Sequence, residues 1–309
     1  MDKKGKKAPF PKKLSPMLAT PTKEPFSNPQ WVYEVKWDGY RVIAYIEKGK
    51  VVLHSREGQD YTHRYPDVAR ALGKLKCDAV LDGEVVFLNE DGLPDFNKLI
   101  SGQPGHLVYY AFDLLWTNGY SLTDLNLLER KKKLRAIFRD NDHLKYSDHF
   151  KDGKGLFAYM EQLNMEGIIA KQKDCSYLPG KRVSTWLKIK INKRQEFVIG
   201  GWTESDRTNL FKSILFGEYV NGKLHFVHHS GGGYSNKEKK ELFELFKTLE
   251  VKKKPFVNEV TAEGRAHWVK PVLVGEFEIS NTTTVNGIIR GPVIYKGLRE
   301  EKKPKDIVR

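Results

Sequence analysis

The sequence predicts an α+β domain followed by a small closed β-barrel. Up to about residue 192, segments with strand-like alternation are interleaved with segments of helical spacing. Beyond that point the apolar segments are short and strand-like, and a single amphipathic helix separates them. We therefore expect a basic arm over residues 1–22, the α+β domain over residues 23–192 and the barrel over residues 193–309.

In the α+β domain, the predicted elements follow the hydrophobic period. Apolar alternation predicts strands at residues 31–35, 42–46, 51–54, 79–88, 107–116, 167–171 and 186–191. Helical spacing predicts helices at residues 65–75, 128–138 and 155–163. Lys48-Gly49-Lys50 joins the second and third strands as a hairpin, and the basic residues 188–194 are predicted to form a hinge.

In the barrel, short apolar runs predict strands at residues 196–202, 213–220, 223–228 and 268–279. Asn221-Gly222 between two of them is a strong hairpin signal. Residues 236–249 are predicted to form an amphipathic helix with Leu242, Phe243, Leu245, Phe246 and Leu249 on its apolar side. About five short strands with one helix fit a barrel of the oligonucleotide-binding type, the OB-fold.

Composition favours an anionic partner. The 309 residues include 53 lysines and arginines against 39 acidic residues, which gives a net charge of +14. Neutralising nucleic-acid phosphates releases condensed counterions, so such an excess suits DNA or RNA, although a merely basic soluble protein has the same charge. Lysines crowd residues 3–13 and are broken by Pro9 and Pro11, which predicts a flexible basic arm.

The cysteines and the hydropathy of the sequence indicate the cellular compartment of the protein. Cys77 and Cys175 lie far apart without the spacing of a zinc site, so we expect a reducing, cytoplasmic setting. No apolar run approaches the roughly 20 residues that span a bilayer. The N-terminus lacks the apolar core of a signal peptide. We therefore expect no membrane association.

The most informative motif is Lys36-Trp37-Asp38-Gly39-Tyr40-Arg41, which directly follows an apolar strand. It matches the Lys-x-Asp-Gly-x-Arg pattern of enzymes that store a nucleotide on a lysine. Attack on a phosphate needs a neutral amine, and free lysine titrates near ~10.4, so neighbouring cations or a metal must favour the neutral form.

Further blocks occur in order along the chain, and together they carry a family resemblance. They are Ser55-Arg56-Glu57-Gly58, Leu81-Asp82-Gly83-Glu84, Phe112-Asp113-Leu114-Leu115, Glu166-Gly167-Ile168-Ile169-Ala170-Lys171, Trp186-Leu187-Lys188-Ile189-Lys190 and Lys296-Gly297-Leu298-Arg299-Glu300-Glu301-Lys302. The set resembles ATP-dependent DNA ligases, most closely the ligase module of the bacterial non-homologous end-joining enzymes. The resemblance covers nearly the whole chain and implies an adenylation (nucleotidyltransferase) domain followed by an OB-fold.

The resemblance implies that ATP is the cofactor and that Lys36 is the nucleophile that becomes linked to AMP. Glu34 would read the adenine amino group. Arg41 would hold the ribose or the nick phosphate, and Arg56 would contact the ribose and the 5′-phosphate. Lys171 would point toward the nucleotide or the DNA phosphate.

The metal and the base have their own candidates. A carboxylate on a strand beside a phosphate site can bind the ribose or orient a divalent cation, and Glu84 is the candidate for this, with Asp82 as a structural residue. By resemblance, Glu166 helps to hold the catalytic Mg²⁺ or Mn²⁺. Strand alternation puts Tyr110, Phe112 and Leu114 on one face, and Phe112 is the candidate for stacking on adenine, with an ordinary buried aromatic as the alternative.

Lysines complete the predicted catalytic set. Lys188 and Lys190 share a strand face, where two ammonium groups favour a polyanion, and by resemblance they are catalytic at the α-phosphate. Arg299 and Lys302 would orient the pyrophosphate, although Glu301 stands where the family has aspartate. Residues 280–289 replace an expected tryptophan-containing segment, which puts the DNA face of the barrel in question.

The implied reaction has three steps: lysyl-AMP formation, AMP transfer to a 5′-phosphate, and sealing by the 3′-hydroxyl. The implied partners are nicked or broken duplex DNA and a bacterial Ku-type end-binding protein. The enzyme itself is expected to be a monomer associated with the nucleoid. An RNA ligase or a capping guanylyltransferase shares the lysine motif. A non-catalytic DNA-binding module, in which Lys36 contacts phosphate, is the alternative of another class.

Overall fold

The computed structural model describes residues 4–102, 104–280, 284–285, 288–289 and 291–308. The chain divides into two compact units, Met1–Ile191 and Asn192–Arg309. Among the described residues, no helix combines the length and the apolarity that crossing a bilayer requires.

The described part of the first unit contains two sheets and four α-helices. Its strands are β1 (Lys6–Lys7), β2 (Leu18–Thr22), β3 (Trp31–Val35), β4 (Tyr40–Glu47), β5 (Lys50–Ser55), β6 (Ala79–Leu88), β7 (His106–Thr117), β8 (Tyr120–Ser121), β9 (Leu144–Tyr146), β10 (Gly167–Gln172) and β11 (Arg182–Lys190). Its helices are α1 (Pro66–Leu72), α2 (Phe96–Ser101), α3 (Leu127–Ile137) and α4 (Gly153–Gln162), with a 3₁₀ turn at Thr62–Arg64.

The two sheets of this unit share apolar contacts. The larger has the order β1-β8-β7-β6-β4-β5, with β9 beside β7, and the smaller has the order β2-β11-β10-β3. Val32 and Trp186 from the smaller sheet join Ile43, Val80 and Phe112 from the larger in one buried cluster. The predicted strands and helices of this region are confirmed, with end points that differ by a few residues.

The predicted flexible arm is wrong for the described residues 4–22. β1 pairs with β8, and β2 runs parallel to β11. Met17 is fully buried, and the indole N–H of Trp116 donates to the Ala8 carbonyl at 3.0 Å. Phe10 packs edge-on against the same indole. Apolar residues between the lysines anchor the segment, because burying them outweighs the tendency of the lysines to stay solvated.

The predicted face of β7 is also wrong in part. Ala111 and Asp113 pair with consecutive residues of β6, which leaves Phe112 as the extra residue of a bulge. As a result, Phe112 faces the cluster between the sheets, whereas Leu114 joins Ala111 in the core on the other side. Tyr110 stacks on Trp37 instead, with ring centroids 3.6 Å apart.

In its described residues, the second unit contains a curled sheet, a separate pair of two-residue strands and one long helix. Its elements are β12 (Asn192–Glu204), β13 (Phe211–Val220), β14 (Lys223–Ser230), α5 (Asn236–Thr248), β15 (Glu250–Val251), β16 (Ala266–Ser280), β17 (Thr284–Val285), β18 (Ile288–Ile289) and β19 (Val293–Leu298), with a 3₁₀ turn at Pro304–Asp306. The sheet order is β14-β13-β12-β16-β15, with β19 beside β16. β14 approaches β19 where the Ser230 hydroxyl donates to the Val293 carbonyl at 2.8 Å.

Local signals place the turns and the helix of this unit as predicted. Asn221 and Gly222 both have positive φ, 51° and 74°, as a two-residue hairpin requires. Ser235 and Glu238 form a capping box at the start of α5. Of the segment 280–289, residues 281–283 and 286–287 lie outside the described residues, so the prediction about the DNA face of the barrel stays a prediction.

Candidate active site

A cavity of about 200 Å³ in the first unit is lined by strands of both sheets. It brings together residues that are far apart in the sequence, and most of the predicted site residues line it: Glu34, Lys36, Arg41, Arg56, Glu84, Phe112, Lys171 and Lys188. They come from six separate sequence blocks, of which the first supplies both Lys36 and Arg41, and from the strand before that block. The fold therefore assembles the predicted constellation in one place.

Lys36 lies at the edge of this cavity, directly after β3. Its backbone N–H donates to the Gly167 carbonyl at 3.0 Å, which extends the pairing of β3 with β10. Its ammonium group contacts Oε2 of Glu166, whose Oε1 lies 3.0 Å from the Lys190 ammonium. One carboxylate therefore holds both the predicted nucleophile and a second lysine.

Two glycines allow the backbone to approach closely here. A Cβ on Gly39 would lie 2.1 Å from the Val85 carbonyl oxygen. Gly167 has φ +142°, and a Cβ there would lie 2.1 Å from the Ile189 carbonyl oxygen. A side chain at Gly39 would push the start of β4 away from β6, and one at Gly167 would push the start of β10, next to Glu166, away from β11.

The charges around Lys36 perturb one another. Burial lowers the pKa of Lys188, and the nearby cations Lys190 and Lys36 lower it further, whereas Glu166 raises it. Burial raises the pKa of Asp38 to about 6, with an added contribution from Glu166 and an opposing one from Lys36 and Lys190. The positive charges thus crowd a small volume beside the cavity, as an anionic ligand requires.

Glu34 makes a second, buried bridge between lysines. Its Oε1 accepts from Lys131 at 2.7 Å, and its Oε2 accepts from Lys171 at 2.8 Å. All three side chains are almost fully buried. Burial lowers the pKa of Lys171, and Lys131 lowers it further, while Glu34 raises it.

Phe112 and Trp186 form an aromatic wall of the cavity. Their rings meet edge to face with centroids 6.4 Å apart. The Lys171 ammonium lies 4.1 Å from the Trp186 ring centroid and 4.6 Å from that of Phe112. The Arg41 guanidinium lies over Phe112 at 4.5 Å. Phe112 therefore contacts both cations at the wall of the cavity.

Arg41 is engaged within the protein. Its Nε and Nη2 donate to the two carboxylate oxygens of Asp82 at 2.6 and 2.7 Å. The buried Tyr177 hydroxyl donates to the same carboxylate at 2.6 Å. Asp82 is thus a structural anchor, as expected, and the predicted ribose or phosphate contact of Arg41 stays a prediction.

The chemistry of Glu84 and Glu166 suits a divalent cation shared with a nucleotide, and their role as its ligands stays a prediction. Glu84 is half-buried, and burial raises its pKa to about 8, whereas Arg41 and Lys36 lower it. In the described part of the chain, no group of three or more His, Cys, Asp or Glu residues is arranged to hold a metal alone. Mg²⁺ usually takes one or two carboxylates and completes its shell with phosphates and water.

Comparison with known proteins decides the family. The family model for the ATP-dependent DNA ligase domain matches residues 16–190, and the model for the ATP-dependent DNA ligase C-terminal region matches residues 207–302. The chain belongs to the ATP-dependent DNA ligase family. The predicted adenylation domain followed by an OB-fold is thereby confirmed.

Individual relatives support this assignment. The chain is 36% identical over 307 residues to the multifunctional non-homologous end joining protein LigD of Mycolicibacterium smegmatis, covering 96% of this chain and 40% of that protein. It is 34% identical over 319 residues to LigD of Pseudomonas aeruginosa, covering 38% of it. The chain thus spans about two-fifths of these relatives.

Solved structures match over the same span. The crystal structure of the ligase domain of Mycobacterium tuberculosis LigD has 36% sequence identity and a TM-score of 0.57, covering 96% of this chain and 98% of that one. A mycobacterial DNA ligase D complexed with ATP and MES matches with the same identity and TM-score.

Some predicted residues of this ligase lie away from the tightest contacts. Arg56 is exposed at the cavity rim, 3.9 Å from Glu57. Arg299 and Lys302 belong to the second unit, where Arg299 pairs with Glu276 and the Lys302 ammonium lies 3.4 Å from Glu196. Their predicted roles toward the ribose and the pyrophosphate stay predictions.

Sequence reasoning missed Trp186 and Arg182, which line the cavity, and Lys131, which holds Glu34 without lining the cavity. Lys131 lies in a charged helical run that resembles any solvated helix face, yet it is buried against Glu34. Trp186 begins the block that ends in the two predicted lysines, and Arg182 starts the same strand; both line the cavity. The position of Trp186 beside these lysines was a usable signal, whereas Lys131 offered none.

Proposed function

We propose that this ligase joins 3′-hydroxyl and 5′-phosphate DNA ends through AMP carried on Lys36. The observation that carries the proposal is the position of the Lys36 amine. It lies against Glu166 at the edge of a cavity that also contains Glu34, Phe112 and Lys188. A related ligase was solved with ATP, which supports ATP as the nucleotide.

In the first step, the Lys36 nitrogen attacks the α-phosphorus of ATP, a P–N bond forms, and the bond to the pyrophosphate oxygen breaks. The amine must release protons, and Glu166 is the carboxylate in contact with it. Lys188 and Lys190 lie near the Glu166 carboxylate as well, and their charges offset the negative charge that builds on the phosphate.

The base is held by the deeper part of the cavity. Phe112 offers a ring face to the purine. Stacking of a base on an aromatic side chain contributes ~1–3 kcal/mol to binding. Glu34 offers carboxylate oxygens, which accept from an exocyclic amino group and repel a carbonyl. This pairing favours adenine over guanine, whose corresponding position carries an oxygen.

A divalent cation completes the site. Glu84 and Glu166 are the residues that would hold it. When bound, Mg²⁺ or Mn²⁺ supplies positive charge to the phosphate oxygens.

In the later steps, AMP passes to the 5′-phosphate of a DNA break, and the 3′-hydroxyl then attacks that phosphate and releases AMP. The net charge of +14 suits a duplex partner. Residues 188–194 are the proposed hinge for the domain movement that separates these steps, and the boundary between the units falls within this stretch.

The test is covalent labelling. The purified chain is incubated with Mg²⁺ and ATP labelled in its α-phosphate, and its intact mass is measured. We expect a mass increase of one AMP that pyrophosphate removes, and no label in Lys36→Ala. Lys50→Ala, an exposed lysine in the β4–β5 hairpin, is the matched control and should label normally.

Other outcomes separate the alternatives. Preferential labelling by GTP would indicate a capping-type enzyme, and sealing of nicked RNA instead of nicked DNA would indicate an RNA ligase. Label that persists in Lys36→Ala would show that the nucleophile is another residue. DNA binding without any covalent nucleotide would indicate a non-catalytic module.

We further propose a role in end joining, as a monomer associated with the nucleoid in the cytoplasm, because the LigD relatives are end-joining proteins. A bacterial Ku-type protein is the expected partner. Ligation of nicked and of double-strand-broken duplexes, each with and without such a protein, tests this. We expect the Ku-type protein to speed up ligation of the broken duplex but not of the nicked one. Equal ligation rates with and without that protein on the broken duplex would contradict the role.

A further inference from the structure

The predicted adenine-reading residue is fixed from behind by a lysine that sequence motifs do not mark. Glu34 has two carboxylate oxygens, and each accepts from a different lysine. Lys171 lines the cavity, whereas Lys131 is not among the residues that line it. The carboxylate therefore lies between one lysine on the ligand side and one on the protein side.

All three N–H groups of Lys131 have acceptors. Its Nζ lies 2.7 Å from Glu34 Oε1, 2.9 Å from the Ser147 carbonyl oxygen and 3.5 Å from the Phe112 carbonyl oxygen. Its ammonium also lies 4.8 Å from the Tyr146 ring centroid. Because an ammonium group has three donors, this lysine has none left for a ligand.

Lys171 is placed differently. Its ammonium donates to Glu34 Oε2 and otherwise lies over the Trp186 and Phe112 rings. It reaches the cavity from β10 in the smaller sheet, whereas Lys131 reaches Glu34 from α3 on the larger sheet. A ligand can therefore engage Lys171 without disturbing the contact between Lys131 and Glu34.

We propose that Lys131 is a positioning residue for nucleobase selection, holding the Glu34 carboxylate so that its remaining acceptor sites meet the 6-amino group of the purine. The inference rests on the proposed function, in which Glu34 reads that amino group. The substrate class it defines is purine nucleoside triphosphates with a hydrogen-bond donor at position 6.

The physical basis is the number of acceptor sites. A carboxylate has about four, and the two lysines occupy two of them. Without Lys131, Lys171 would be the remaining partner of Glu34, and the carboxylate would be free to rotate toward it. The acceptor would then leave the position that faces the base, and selectivity for the amino group would fall.

The test compares ATP with purine riboside triphosphate, which lacks the 6-amino group. The readout is kcat/KM for lysyl-AMP or lysyl-nucleotide formation. Loss of one charge-assisted hydrogen bond corresponds to roughly 10- to 100-fold. We expect Lys131→Met to reduce the ratio of kcat/KM for ATP to kcat/KM for the analogue by about that factor. The reaction with ATP should become slower, and the reaction with the analogue should stay nearly unchanged.

Controls separate positioning from general damage. Lys132→Met, the exposed neighbour on α3, should leave the ratio unchanged. In a Glu34→Gln background, adding Lys131→Met should change the ratio no further, since the residue that it positions is already altered. An equal fall for both nucleotides in Lys131→Met would show a purely structural role and would overturn the inference.

A second variant covers poor folding of Lys131→Met. Lys131→Arg keeps the charge, but its planar guanidinium cannot reproduce the three-acceptor geometry of the ammonium. We expect it to fold and to lower the ratio several-fold, and an unchanged ratio would contradict the inference. Absence of labelling in the unaltered enzyme would instead refute the proposed function itself.

Discussion

Two carboxylates in the first unit each hold two lysines, and they differ in how far water reaches them. Glu34 and its partners Lys131 and Lys171 have side-chain exposures of 2%, 1% and 2%. Glu166 is 10% exposed, and its partners Lys36 and Lys190 are 19% and 34% exposed. The same arrangement of charge therefore occurs once in the protein interior and once at its edge.

This difference separates a structural task from a chemical one. A buried ion pair is fixed, because breaking it leaves a charge without water or a partner. A partly exposed pair contributes little to stability and separates readily, because water replaces the lost contact. Glu34 is suited to hold a fixed acceptor in the cavity, and Glu166 is suited to release Lys36 when a phosphate arrives.

The largest effect on stability is expected at the buried cluster. Glu34→Ala leaves the Lys131 and Lys171 ammonium groups buried without their carboxylate, which should cost about 3–5 kcal/mol in the free energy of unfolding. Urea denaturation followed by circular dichroism measures this. A decrease of less than about 1 kcal/mol in the free energy of unfolding would show that water reaches these side chains more than the contacts indicate.

A smaller effect on stability, with a large effect on activity, is expected at the exposed cluster. Glu166→Ala should cost about 0–1 kcal/mol in the free energy of unfolding, since water reaches both lysines. Lysyl-AMP formation should fall by roughly 10²–10⁴-fold through loss of the proton acceptor. Equal stability losses in the two alanine variants would remove the distinction between the clusters.

The smallest effect is a pH dependence beside the exposed cluster. The folded state raises the pKa of Asp38 from 3.8 to about 6. The native protein thus binds this proton more tightly than the unfolded chain, so the contribution of Asp38 to stability falls as pH rises from about 4 to about 6 and is constant above.

Asp38→Asn removes this titration. We expect the melting temperature of the unaltered ligase, relative to that of Asp38→Asn, to fall between pH 4 and pH 7 and then to stay level. Differential scanning calorimetry across this range measures the difference. A difference that does not vary with pH would show that Asp38 titrates normally in the folded protein.

Local signals in the sequence account for the strands, the hairpins and the lysine motif. Apolar alternation marked β6 at residues 79–88, and Asn221-Gly222 marked the turn between β13 and β14. Most of the cavity residues also followed from ordered motif blocks, because each block that supplies one lies on or directly beside a strand of the smaller or larger sheet.

What the sequence did not reveal depends on contacts between distant residues. Lys131 and Glu34 are 97 positions apart, and nothing in the charged run of α3 distinguishes a buried lysine from a solvated one. The bulge at Phe112 changes the side-chain phase of β7, so simple alternation failed at Leu114. The lysines before β2 similarly concealed the apolar residues that fix the N-terminal segment.

Strand β2, the second from the N-terminus, has a practical consequence for anyone who shortens this protein. Leu18 and Ala19 line the cavity, and the Met17 carbonyl accepts from Arg41. β2 also covers the edge of β11, the strand that carries Lys188. A version shortened to begin at residue 23 would expose that edge to pairing with other molecules. We therefore expect the shortened protein to precipitate, because the deleted segment forms one side of the cavity.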